Sequence, residues 1–357
     1  MAAPLSHIRV VEAIPAEAPL ALRLAAAMTG RVCAELGAHV IVIEPQNGDE
    51  LRRAHPLVGG SSAVQQFLGR GKTIVAAGSK AAEEFYSSAE AVFTDAAGLD
   101  KMRWVPPVRV VFSMNAAGAA ARPSSEFTIM AQAGMLDLVG DEDHQPLRLG
   151  GHQLAYAAGL AGYSGFAAVL SARARDKSIT ETVNVSLADV AIWLNWKAAG
   201  AAAWGETVPH RQDRAEWRAV RCADGYVGLV YRLSDWPSLC VMIGDPRLNE
   251  PRFADRAQRA TNMTALVEII EERFALLPRH EIFQLSLRHR LPLGPIWSPD
   301  ELREDAQYRA RRFLQPMQAP SLPIRWDAVP RLDVSARVGI SENANLSEKA
   351  SLSETLP

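Results

Sequence analysis

Leu36-Gly37-Ala38-His39-Val40-Ile41-Val42-Ile43-Glu44-Pro45 is the stretch that decides the fold. From His39 to Ile43 it is almost continuously apolar, which suits a strand buried on both faces of a parallel sheet. Gly37-Ala38 breaks the segment before it. That segment, residues 20–36, is rich in Ala and Leu with apolar positions three and four apart, so it reads as a helix. Upstream, Ile8-Arg9-Val10-Val11 reads as a short strand. Downstream, Thr73-Ile74-Val75-Ala76, Ala91-Val92-Phe93 and Val108-Arg109-Val110-Val111-Phe112 are further short apolar runs, each after a helical or loop segment. Strands alternating with helices predict an α/β fold built on a doubly wound, Rossmann-like parallel sheet.

Residues 154–174 are dominated by small residues, among them Ala155, Ala158, Gly159, Gly162 and Gly165. They predict a long helix packed closely against the sheet or a second subunit. A membrane span fits poorly, because His152, Gln153, Arg173 and Arg175 flank the run and Tyr163-Ser164 interrupts it. Thr182-Val183-Asn184-Val185-Ser186-Leu187 predicts another strand. Residues 200–216 turn polar and loop-like, which marks a crossing to a second domain. That domain opens with a hairpin whose turn is Asp224-Gly225, followed by helices over 264–277 and 279–288. Residues 346–357, polar and rich in Ser and Glu, predict a disordered tail.

The 357 residues, 48% of them hydrophobic, can bury an ample core, and two domains suit this length better than one. A formal net charge of −2 offers no broad attraction for nucleic acid or an anionic membrane. Cys33, Cys222 and Cys240 are too far apart for a metal site and imply no disulfide framework. With no basic segment opening the chain, a cytoplasmic location is expected. The eight tryptophans are scattered, as residues of core or interface packing would be.

Several short stretches, in order, resemble the CaiB/BaiF family, the family III CoA-transferases and related racemases such as alpha-methylacyl-CoA racemase. Gly30-Arg31 with the 36–45 stretch resembles the family's LGA-V-I-VE-P segment. Gly48-Asp49-Glu50-Leu51-Arg52 resembles its GD-x-x-R, Arg70-Gly71-Lys72 its N-R-G-K, and Val183-Asn184-Val185-Ser186-Leu187-Ala188-Asp189 its V-D-V-S-L-x-D. Asp224-Gly225-Tyr226-Val227, Asp245-Pro246-Arg247-Leu248, Pro251-Arg252-Phe253 and Leu293-Gly294-Pro295-Ile296-Trp297-Ser298-Pro299-Asp300-Glu301-Leu302 continue the series. The resemblance implies a large Rossmann-like domain over 1–205 and 320–345, a smaller α/β domain over 206–319, and two interlocked subunits.

Family chemistry, as the resemblance implies it, uses one Asp carboxylate to attack an acyl-CoA thioester; the released CoA then attacks the resulting anhydride. That Asp stands four residues before the Gly that here is Gly159, where this chain has Ala155. No Asp or Glu occurs between His144 and Arg175. Two departures accompany this one. The family's N-F-R-P-G, whose Arg helps hold CoA, becomes Thr94-Asp95-Ala96-Ala97-Gly98, and a Gly-rich loop becomes Asn115-Ala116-Ala117-Gly118. The racemase branch needs a His beside the Asp, and Pro123-Ser124-Ser125-Glu126-Phe127 offers none.

Arg52, Arg70 and Lys72, placed in loops after strand ends, are candidates to hold CoA phosphates, or else solvated surface charges. His152, Gln153 and Tyr156 are candidates to line a substrate pocket or a subunit contact, or else a satisfied loop His and a packed Tyr. No residues are expected to bind metal, and CoA or an acyl-CoA is the expected ligand. The leading expectation is a non-catalytic subunit of a heteromeric CoA-transferase, partnered by an Asp-bearing paralogue. It would move CoA from a donor such as succinyl-CoA to a carboxylic acid, on the pattern of the two-subunit benzylsuccinate enzyme. A homodimeric pseudoenzyme that binds acyl-CoA or a partner without turnover, and an enzyme with chemistry relocated to Glu126 or His152, are the alternatives.

Overall fold

Six parallel strands form the central sheet: β1 (Arg9–Glu12), β2 (His39–Glu44), β3 (Thr73–Ala76), β4 (Ala91–Asp95), β5 (Val108–Ser113) and β6 (Glu181–Ser186). Their order across the sheet is β3-β2-β1-β4-β5-β6, with Val10 opposite Val40 on one side and Ala91 on the other. The order therefore reverses at β1, as in a doubly wound sheet. The computed structural model describes residues 3–116, 122–140, 144–205, 217–311 and 320–324. The expected tail over 346–357 and most of the loop expected over 200–216 lie outside the described residues. The chain divides into two compact units, one of residues 1–139, 146–208 and 319–357, the other of 140–145 and 209–318.

In the large unit, α1 (Leu20–Glu35) follows β1, and α2 (Ala63–Leu68) and α3 (Lys80–Ser88) flank β3. Then come α4 (Ala96–Asp100), α5 (Glu126–Gln132), α6 (Gln153–Arg175), α7 (Leu187–Leu194) and α8 (Trp196–Ala203). Helix α8 corrects the reading of residues 200–203 as loop: the Ala-rich context carries Gly200 inside a helix, because Ala is the strongest helix former.

The small residues of α6 account for its position. A Cβ added to Gly159 would lie 2.6 Å from Ala25 O, one on Gly162 2.7 Å from Phe112 Cζ, and one on Gly165 2.4 Å from Val183 Cγ1. Thr29 Oγ1 donates to Gly159 O at 2.8 Å across the same seam. The helix is long and apolar enough to cross a membrane by length and composition. Here, however, Leu154, Ala155, Ala158 and Phe166 are buried in the core with α1 and the sheet. The segment 320–324 docks on α1: Arg31 donates to Pro320 O at 3.0 Å, and Glu35 accepts from Leu322 N at 2.8 Å.

In the smaller unit, β7 (Trp217–Cys222) and β8 (Gly225–Val230) pair antiparallel, and β9 (Gly294–Pro295) pairs with β8. Gly225, at φ +146°, makes the turn between the first two. Around them pack α9 (Trp236–Ile243), α10 (Arg256–Thr261), α11 (Met263–Phe274) and α12 (Arg279–Arg288), with Leu239, Phe253, Leu266, Ile270 and Ile282 in the core.

Candidate functional site

The loops that leave β1, β2, β3 and β4 at the carboxyl edge of the sheet enclose a cavity of about 780 Å³. It lies where the strand order reverses, the usual ligand position in such sheets. Ile14, Ile43 and Pro45 contribute apolar wall, Tyr86 and Trp104 contribute aromatic rings, and the border carries both signs of charge, Lys101 and Arg103 against Glu17 and Glu83. Lys101 makes only a loose pair with Glu17, 3.7 Å apart and largely exposed. The rim is fixed from below. Thr94 Oγ1 donates to Ala13 O at 2.6 Å, and Asp95 caps α4 by accepting from Gly98 N at 2.7 Å. Gly98 is needed because a Cβ there would fall 2.2 Å from Thr94 Oγ1. Sequence reasoning missed Lys101, Arg103 and Trp104; the signal was their place just after α4, beyond a strand's carboxyl end. The chemistry fits a ligand with a flat heterocycle and anionic groups.

The three basic residues expected to hold phosphate are placed differently. Arg52 follows β2, but its guanidinium forks onto Glu44, with Nη2 donating to Oε2 at 2.7 Å. Glu44 Oε1 also accepts from Asp49 N at 3.1 Å, and Asp49 takes a 3.0 Å bond from Arg23. Burial works against the Glu44 charge, yet the bonds from Arg52 and Asp49 hold its carboxyl below the usual range. The E-P and GD-x-x-R motifs therefore form an internally bonded knot. Arg70 and Lys72 are a correction: they immediately precede the amino end of β3 instead of following a strand. Lys72 turns inward, 5% exposed, to Glu12 at 2.5 Å and Ala27 O at 2.7 Å. Burial pushes Glu12 up to about 7 against the pull of Lys72, and burial likewise lowers Lys72.

At the amino end of α6, Ala155 is fully buried. Glu126, the first residue of α5 and itself 8% exposed, reaches across to it: Oε1 accepts from Ala155 N at 3.1 Å. Its Oε2 lies 2.8 Å from His152 Nδ1. His152 meets Tyr156 edge-on, ring centroids 6.4 Å apart. Burial, with Glu126 nearby, raises the Tyr156 hydroxyl above its ordinary value. Gln153 turns away to Gly150 O at 3.2 Å. Of the three pocket candidates, His152 and Tyr156 thus come together around Glu126, while Gln153 does not.

Ala96, at the family's CoA-binding Arg position, is exposed at the start of α4. Ala117 and Gly118 of the altered loop lie outside the described residues. Among the described residues no group of three His, Cys, Asp or Glu gathers to hold a metal. The thiol of Cys33 is pushed up by burial and is not poised for chemistry.

Comparison with known proteins places this arrangement. Formyl-CoA:oxalate CoA-transferase of Streptomyces avermitilis is 28% identical over 60% of this chain, and the match spans 59% of that enzyme's length. Succinate–glutarate CoA-transferase of Agrobacterium fabrum is 24% identical over 88% of this chain and 86% of its own. The crystal structure of a CaiB/BaiF family protein from Brucella suis superposes with a TM-score of 0.84 at 23% identity, covering 99% of this chain and 100% of that one. The model of the family described as CoA-transferase family III matches residues 5–338, so the chain belongs to CoA-transferase family III.

Proposed function

We propose that this chain is the aspartate-lacking subunit of a heteromeric CoA-transferase that moves CoA between an acyl-CoA and a carboxylic acid. The observation that carries the reading is Ala155. A methyl group cannot form an acyl anhydride, and the nearest carboxylate, Glu126, is buried with both oxygens engaged. An Asp-bearing paralogue of the same family supplies the nucleophile.

Two features support this division of labour. The cavity offers Lys101 and Arg103 to the phosphates of CoA and Trp104 or Tyr86 to its adenine. The chain also exposes a run of large apolar residues along α7 and α8: Trp193 is 74% exposed, Trp196 62% and Trp204, just beyond α8, 82%. Such a patch is an association surface in need of a partner. Relatives named for oxalate, succinate and glutarate favour a small dicarboxylic acid or its CoA thioester, such as succinyl-CoA, on one side of the reaction. The benzylsuccinate enzyme is the two-subunit analogue. Free cysteines suit the reducing cytoplasm in which such an enzyme would work.

The test is CoA exchange between succinyl-CoA and a panel of carboxylic acids, run with the chain alone and with the complex isolated from its host. Transfer by the complex and none by the chain alone supports the proposal. Transfer by the chain alone refutes it, and acyl-CoA binding by a homodimer without transfer points to the pseudoenzyme.

A further inference from the structure

We infer that the chain hydrolyses acyl-CoA thioesters through a carboxylate–imidazole pair, Glu126 and His152, at the amino end of α6. This rests on the reading that the chain holds an acyl-CoA, and is independent of the partner subunit.

The two oxygens of Glu126 do different things. Oε1 caps α6 through Ala155 N, a service the helix needs because its N-cap residue, His152, accepts no bond there through its side chain. That cap needs one oxygen and no histidine. Oε2, 2.8 Å from Nδ1, orients the imidazole: in the tautomer that donates Nδ1–H to this oxygen, the lone pair on Nε2 is free to take a proton. The imidazole is 28% exposed whereas the carboxylate is 8% exposed, so the ring and not the acid meets solvent. Tyr156 stands edge-on to the ring, centroids 6.4 Å apart.

A buried carboxylate with both oxygens engaged is a poor nucleophile, and the partly exposed imidazole it orients is a general base. With Ala155 unable to capture the acyl group, water is the nucleophile that remains. The first-turn N–H of Gln153, an exposed residue, has no intrahelical acceptor and stands at the positive end of a 23-residue helix.

In the step itself, His152 Nε2 takes a proton from water as the water oxygen bonds to the thioester carbonyl carbon. The negative charge that develops on the carbonyl oxygen falls at the opening turn of α6. Collapse of the tetrahedral species breaks the C–S bond, and the imidazolium returns its proton to the departing thiolate. The products are a carboxylic acid and the free thiol of CoA. His152 is the catalytic residue; Glu126 touches no substrate and positions it.

The experiment uses the full chain and acetyl-CoA without an acceptor acid, following thiol release, with acetyl-CoA binding measured separately by calorimetry. His152→Ala is expected to lower kcat by about 100-fold or more and to regain part of it when imidazole is added. Glu126→Gln is expected to lower kcat with KM unchanged; should that variant fail to fold, His152→Ala keeps the cap and carries the test. A single turnover in ¹⁸O-water places the label in acetate. Binding without hydrolysis, a rate indifferent to His152→Ala, or ¹⁸O in the Glu126 peptide each overturns the hydrolytic pair, the last by making Glu126 the nucleophile. Absence of acetyl-CoA binding overturns the acyl-CoA reading as well.

Discussion

Lys72 and Glu12 meet 2.5 Å apart inside the large unit, and Gly30 of α1 is what lets them meet. A Cβ on Gly30 would stand 1.7 Å from Glu12 Oε1. A glycine inside a helix costs about 1 kcal/mol relative to alanine; here it makes room for a buried ion pair. Gly30→Ala should destabilise the chain instead of strengthening its helix. Lys72→Ala should cost roughly 3–5 kcal/mol above about pH 7, where Glu12 is ionised and the substitution strands its charge. Urea unfolding of both variants against the parent checks this, and a stabilised Gly30→Ala would contradict it.

The same pair sets a pH dependence. Glu12 in the folded chain titrates at about 7, above the ordinary 4.5, chiefly because burial disfavours its charge. Between those two values the folded chain keeps a proton that the unfolded chain has released, so the stability contributed by this group falls as pH rises through that window. Urea midpoints of the parent should fall from pH 5 to 7 relative to those of Glu12→Gln. Parallel profiles would contradict the assignment.

Restoring the family nucleophile should be disruptive. Ala155→Asp puts a second carboxylate into a fully buried position whose N–H already serves Glu126. Its expected cost is roughly 2–4 kcal/mol. Combined with Glu126→Gln, which removes the like charge, the two changes should cost less than their sum. A double-mutant cycle by chemical unfolding measures the coupling, and strict additivity would count against it.

Ligand binding should track the cavity and not the motif cations. Lys101→Ala and Arg103→Ala should each weaken CoA binding about tenfold, read by quenching of Trp104 fluorescence. Arg52→Ala should leave affinity unchanged while loosening the loop, because its guanidinium is spent on Glu44. The reverse ranking would return the phosphate site to Arg52.

Much of the sheet was legible because its strands are short, apolar and buried on both faces, so β2, β3 and β5 read directly from 39–43, 73–76 and 108–112. The small-residue run of α6 was legible for the same reason that it packs: each glycine marks a contact that a methyl group would break. The site was less legible. Arg52 and Lys72 read as candidates for CoA phosphates, or else solvated charges, because local sequence does not show which carboxylate a long side chain will meet; Glu44 lies eight residues away and Glu12 sixty. The link between Glu126 and Ala155 spans 29 residues and joins a side chain to a backbone N–H, which no residue pattern encodes. The family resemblance, by contrast, was carried by turns and caps such as Gly48 and Asp49, whose roles are local.

Native mass spectrometry of the chain purified from its own host decides whether it works with an aspartate-bearing partner. An equimolar complex is expected, with a second CoA-transferase family III chain that carries an aspartate where this one has Ala155. A homodimer alone, with no such partner at any concentration at which the chain is present, would contradict it.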